Sequence, residues 1–156
     1  MNSDTKPIKV GFSFYPADMT ALKDRTAELK KAGVKVRAGT FLRALIYLTT
    51  PVEMHAHALL LASAYAKKDG PREADNVTGH PTVDLPKDQV RKLDDVVDGL
   101  HDAGVTATRA FVVRAVLRSL RDGGSIAPDV RQFLENFPPK PRGWQVAGTW
   151  KAKKHG

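Results

Sequence analysis

One stretch of this chain is written twice. Displaced by 71 positions without a gap, Leu22, Asp24, Leu29, Ala32, Gly33, Val34, Arg43 and Ala44 fall on Leu93, Asp95, Leu100, Ala103, Gly104, Val105, Arg114 and Ala115. Between these identities apolar residues meet apolar ones: Phe12 and Val83, Phe14 and Leu85, Met19 and Val90, Leu45 and Val116. Each copy reads as one short strand followed by two helices. A unit of that size cannot bury its own apolar face, so both copies are needed to close one core.

Residues 8–14 alternate, with Ile8, Val10, Phe12 and Phe14 inward and Lys9, Gly11 and Ser13 outward, the period of a half-buried strand. Pro16 and Asp18 open a helix that Gly33 ends, and a second helix carries Phe41, Leu42, Leu45 and Ile46 before Pro51. In the second copy Val83 and Leu85 face inward and His80, Thr82 and Asp84 outward. Pro86 then opens a helix closed by Gly104, and Thr106 or Thr108 caps the next one. Each copy has an appendix. Residues 51–68 form a helix apolar almost all round, which something must cover, and residues 126–137 form a shorter one. The expected organisation is therefore a first repeat at 8–50, the apolar helix at 51–68, a polar linker at 69–79, a second repeat at 80–122, the added helix at 126–137 and a basic tail at 138–156. Both repeats belong to one folded unit.

The net charge of +8 is clustered. Residues 1–50 carry nine Lys/Arg against four Asp/Glu, and residues 139–156 carry five basic residues and no acid; the second repeat is slightly acidic. Such clustering points to a polyanionic partner. The chain has no cysteine, which excludes disulfides and thiolate metal sites and fits a reducing cytoplasm. Its longest greasy stretch is too short to span a bilayer, so no membrane association is expected.

The run Thr82-Val83-Asp84-Leu85-Pro86, then Gly104-Val105-Thr106-Ala107-Thr108, then Val113-Arg114-Ala115-Val116-Leu117 resembles the ribbon-helix-helix DNA-binding fold, and residues 8–50 keep the same register. With both copies in one chain, the sequence is similar to the tandem, single-chain members of that family, the TraY-like accessory proteins of plasmid and T-DNA transfer. The resemblance implies a mainly α fold with a short two-stranded antiparallel ribbon, a pseudo-dimer with one extra helix after each repeat. It implies double-stranded DNA as partner, with the ribbon in the major groove of a site that need not be palindromic, in a bacterial cytoplasm. The base-reading residues would be those that alternation turns outward: Lys9, Gly11, Ser13, His80, Thr82 and Asp84. Asp84 departs from the usual preference for donors, and its charge opposes the phosphates. The resemblance also gives a phosphate-holding role to the amides opening each second helix, at Val36, Arg37 and Ala38 and at Thr106, Ala107, Thr108 and Arg109, where free N–H groups and the helix dipole favour an anion.

In the tail, Lys140, Arg142, Lys151, Lys153 and Lys154 accompany Trp144 and Trp150, a mixture suited to backbone attraction and stacking. His55 and His57 are two apart on a helix and face different directions, so no metal site is expected. The acids Asp94, Asp95, Asp98 and Asp102 read as a solvated face. No phosphate loop, activated nucleophile or metalloprotease motif is present, so neither an enzyme nor a cofactor is expected. Two functions follow: a sequence-selective DNA-binding accessory factor of transfer or transcriptional regulator, and, as the rival, an antitoxin-like protein-interaction module. The helix around Leu59, Leu60 and Leu61 is the expected place for a protein partner or for self-association.

Overall fold

A computed structural model describes residues 6–66 and 77–138. The chain is mainly helical, with one small antiparallel sheet. In order it forms β1 (Ile8–Gly11), α1 (Pro16–Lys31), α2 (Ala38–Leu48), α3 (Pro51–Ala66), β2 (Thr82–Leu85), α4 (Lys87–Asp102), α5 (Arg109–Ser119), a 3₁₀ turn (Gly124–Ile126) and α6 (Ala127–Asn136). Both ends of α4 lie 71 positions beyond those of α1, and both ends of α5 lie 71 beyond those of α2.

Local chemistry accounts for these matching boundaries. At α1, Pro16 takes the first turn and the Asp18 carboxylate accepts from the Tyr15 amide at 2.9 Å, closing the helix start. At the other end the chain must turn left-handed. Gly33 (φ 91°) and Gly104 (φ 85°) do so without a Cβ penalty, and each is followed by the same bond, Val34 N–H to Leu29 O and Val105 N–H to Leu100 O, both 2.8 Å.

β1 and β2 pair with Ile8 opposite Leu85, Lys9 opposite Asp84, Val10 opposite Val83 and Gly11 opposite Thr82. Pairing continues past the strands. The Phe12 amide donates to Pro81 O, and Phe14 bridges Gly79, at the end of the stretch read from sequence as linker. Beneath the ribbon, Val10, Phe12, Phe14, Val83 and Leu85 are buried with Leu22, Leu29, Phe41, Leu42, Leu93, Leu100, Val112 and Leu117 in one core. Two strands alone would be marginal in water. Removing each large side chain from water contributes roughly 1.5–3 kcal/mol, so this shared core is what holds the ribbon flat against the helices.

One expectation is corrected. Ile8 keeps inward parity but is 37% exposed at the first position of its strand. Within the chain α3, which reads as apolar almost all round, buries only Met54 and Ala58, one stripe against α4 and α5. Val52 (80%) and Leu60 (70%) remain exposed. Composition shows how much apolar surface a helix carries, but its neighbours decide which stripe is covered.

A buried ionic cluster crosses the molecule. Asp18 on α1 is fully buried and Arg114 on α5 is 6% exposed. The Arg114 Nε–H donates to Asp18 Oδ2 at 2.7 Å, and its Nη2 donates to the Tyr65 hydroxyl of α3 at 3.0 Å. Arg118 donates to the same hydroxyl at 2.6 Å and lies 3.4 Å from Asp18 Oδ1. The Arg114 guanidinium also stacks 4.7 Å over the Tyr15 ring.

Candidate nucleic-acid interface

The ribbon alternates with a period of two. Lys9, Gly11, Ser13, His80, Thr82 and Asp84 are all exposed, while Val10, Phe12, Phe14, Val83 and Leu85 between them are buried. The register collects the six outward residues on one face as three cross-strand pairs. Lys9 stands opposite Asp84 and Gly11 opposite Thr82. Ser13 and His80 share the interval between the Phe12–Pro81 hydrogen bond and the Phe14–Gly79 bridge. Phe14 and Gly79 exchange both backbone bonds, and hydrogen-bonded and non-hydrogen-bonded pairs alternate along an antiparallel ladder. The outward pairs therefore occupy the non-hydrogen-bonded positions, where side chains approach most closely; in the two flanking pairs the Cβ atoms are about 4.5–5.5 Å apart.

The register and the sequence repeat share a centre. Residues 71 positions apart face one another at Gly11 and Thr82. The same displacement carries Lys9 to His80 and Asp84 back to Ser13, so it turns one flanking pair into the other. At about 3.3 Å per residue, each flanking pair lies about 7 Å from the centre. The backbone is thus laid out symmetrically while its side chains are not: ammonium and carboxylate on one flank, hydroxyl and imidazole on the other.

The helix starts flanking the ribbon also differ. At α2, Val36 is half-buried, Arg37 and Ala38 are exposed, and no side chain caps the helix. Gly39 brings this end against β2, since a β-carbon there would stand 3.3 Å from the Thr82 carbonyl oxygen. At α5, Thr106 and Thr108 are exposed and Ala107 is buried. The Thr108 hydroxyl accepts from the Phe111 amide at 3.1 Å, as capping predicts. The Arg109 fork is held by Asp94 of α4, with Nε–Oδ1 2.6 Å and Nη2–Oδ2 2.9 Å. These bonds hold the Asp94 carboxyl below its ordinary range and raise the guanidinium. One acid of the supposed solvated face thus engages a residue expected to meet phosphate. Lys140, Arg142, Trp144, Lys151, Lys153 and Lys154 lie outside the described residues.

Sequence reasoning missed the Gly39 approach and the burial of Asp18. The repeat held a signal for the first, since Gly39 aligns with Ala110 and only one copy gives up its β-carbon. Comparison with known protein families, curated proteins and solved structures found no match.

Proposed function

We propose that this chain is a single-chain, tandem ribbon-helix-helix protein that binds double-stranded DNA selectively, with its ribbon in the major groove. The observation that carries the reading is the shared centre of register and repeat at Gly11 and Thr82, with all six outward residues on one exposed face. Such a face is two strands wide and backed by helices, and a two-stranded ribbon fits the major groove, where the four base pairs are distinguishable. The basic first half, Arg37 at an uncapped helix start beside the ribbon, and the net charge of +8 supply attraction to phosphate. The biological role is that of an accessory factor in plasmid or T-DNA transfer, or of a transcriptional regulator.

Selection of bound DNA from a random pool tests this reading. The expected result is an enriched motif without dyad symmetry, bound with an affinity that falls steeply with salt. A pool that stays random at moderate salt refutes sequence-selective binding.

The outer face of α3 favours a second reading, in which the fold serves a protein partner or a second copy. Val52, Leu59 and Leu60 are exposed there, beside a groove between α3 and α4 lined by His55, Ala56, Val96 and Gly99. Light scattering with and without DNA discriminates the two. A mass that stays monomeric at all concentrations removes self-association.

A further inference from the structure

We propose that Lys9 and Asp84 act together as one reading unit for a single G·C base pair, about two base pairs to one side of the centre of the DNA site. The inference rests on the DNA-binding reading above and goes beyond it by assigning a base pair to a residue pair. Asp84, which read from sequence as an anomaly, stands directly opposite Lys9, and both are exposed on the outward face. At a non-hydrogen-bonded position their Cβ atoms are about 4.5–5.5 Å apart, so ammonium and carboxylate reach the groove side by side.

Such a couple offers donors beside acceptors. A G·C pair presents the complement: acceptors N7 and O6 on guanine, next to the N4 amino donor of cytosine. Lys9 over guanine and Asp84 over cytosine satisfies all three groups. With C·G the ammonium would face the amino donor and the carboxylate would face O6 and N7, like against like at both atoms. With A·T the carboxylate would face thymine O4. With T·A both contacts form, but Lys9 then has one acceptor in place of two, beside the thymine methyl. G·C is the best match of the four. The carboxylate that weakens general attraction to DNA thereby contributes discrimination. The opposite flank carries Ser13 and His80, with no such couple, so the assignment is one-sided. Consecutive base pairs lie about 3.4 Å apart and the pair lies about 7 Å from the Gly11–Thr82 centre, which sets the offset at about two base pairs.

The test compares motifs selected from random DNA by the wild-type chain, by the charge exchange Lys9→Asp/Asp84→Lys, and by Asp84→Asn. Both residues are exposed, so circular dichroism should show native helix content in all three. The expected result is a G·C pair near the motif's centre that becomes C·G in the exchange variant, the other positions being retained. Asp84→Asn should lose on the order of tenfold discrimination at that position alone. A wild-type motif that the exchange leaves unchanged overturns the pairing of Lys9 with Asp84 but spares the DNA-binding reading. An unenriched wild-type pool overturns both. Should the exchange variant fold poorly, Asp84→Asn with unaltered preference still overturns the inference.

Discussion

Replacing Asp18 by alanine is the sharpest test of how the two halves of the molecule are joined. The carboxylate is fully buried and accepts from the Tyr15 amide at 2.9 Å and from Arg114 Nε at 2.7 Å, with Arg118 at 3.4 Å. Asp18→Ala removes the helix-start acceptor and the acid facing a guanidinium that is 6% exposed. Taking one partner from a buried pair costs about 3–5 kcal/mol, because the remaining charge stays in a low-dielectric site. Native stabilities of about 5–15 kcal/mol leave little beyond such a loss. For a domain of this length each kcal/mol moves Tm by roughly 2–4 °C, so a fall of roughly 6–20 °C is expected. Asp18→Asn keeps an acceptor for Tyr15 and should lose about half as much.

A double-mutant cycle separates the pair from its surroundings. Arg114→Met alone leaves the carboxylate buried without the guanidinium, whereas Asp18→Asn/Arg114→Met removes both charges together. Urea denaturation followed by circular dichroism should give a double-variant loss smaller than the sum of the single losses by at least about 1.5 kcal/mol. The m-value should stay constant if only stability has changed. Losses that add within about 0.5 kcal/mol, or an Asp18→Ala loss below about 1 kcal/mol, would refute the claim that this buried pair couples α1 to α5.

Gly104→Ala should cost about 1–2 kcal/mol by thermal denaturation. Its φ is 85° and a β-carbon there meets nothing within 4 Å, so the whole loss is backbone strain. Thr108→Ala should cost about 1 kcal/mol through the lost acceptor for the Phe111 amide, whereas Thr108→Ser should cost little. The Asp94–Arg109 pair predicts a weak pH dependence. With its folded carboxyl below the ordinary range, Asp94 contributes stability above the unfolded carboxylate value and loses it as pH falls through the lower folded value. The two side chains are 45% and 40% exposed, so the effect is under about 1 kcal/mol. Comparing wild type with Asp94→Asn across acidic pH should show the curves converge at low pH.

What was legible in the sequence is what short-range chemistry decides. Both ends of α1, the end of α4 and the start of α5 follow from Pro16, Gly33, Gly104 and Thr108, each acting within a turn of its own position. The outward residues followed from alternation, because Val10, Phe12, Phe14, Val83 and Leu85 need one common core. What was not legible depends on distant partners. An acid two residues after Pro16 reads as a helix-start residue, and so it is, but its burial depends on Arg114, 96 positions away. The exposed stripe of α3 was hidden for the same reason: only the packing of α4 and α5 decides that Met54 and Ala58 turn inward while Leu60 stays out.

The repeat itself obscured the Asp18 cluster. Alignment matches Arg43 with Arg114, which suggests one role at both places, yet the acid beside Arg114 is matched by Gln89. Arg43 instead lies 5.8 Å over the Phe133 ring of α6, while Arg114 meets Asp18 and Tyr65. The contrast has a physical origin. A left-handed glycine answers to its own few residues, so both copies keep it. A guanidinium at the meeting of several helices answers to whatever each appendix brings, and α3 brings Tyr65 where α6 brings Phe133. Once the surroundings differ, a shared arginine can sit on an ion pair in one half and on an aromatic ring in the other. Arg43→Met should therefore cost less than Arg114→Met, because a half-buried cation over a ring contributes only about 0.5–2 kcal/mol and its loss leaves no buried acid unpaired. Equal losses in urea denaturation would mean that the repeat sets the energetics of both arginines and that their different neighbours do not.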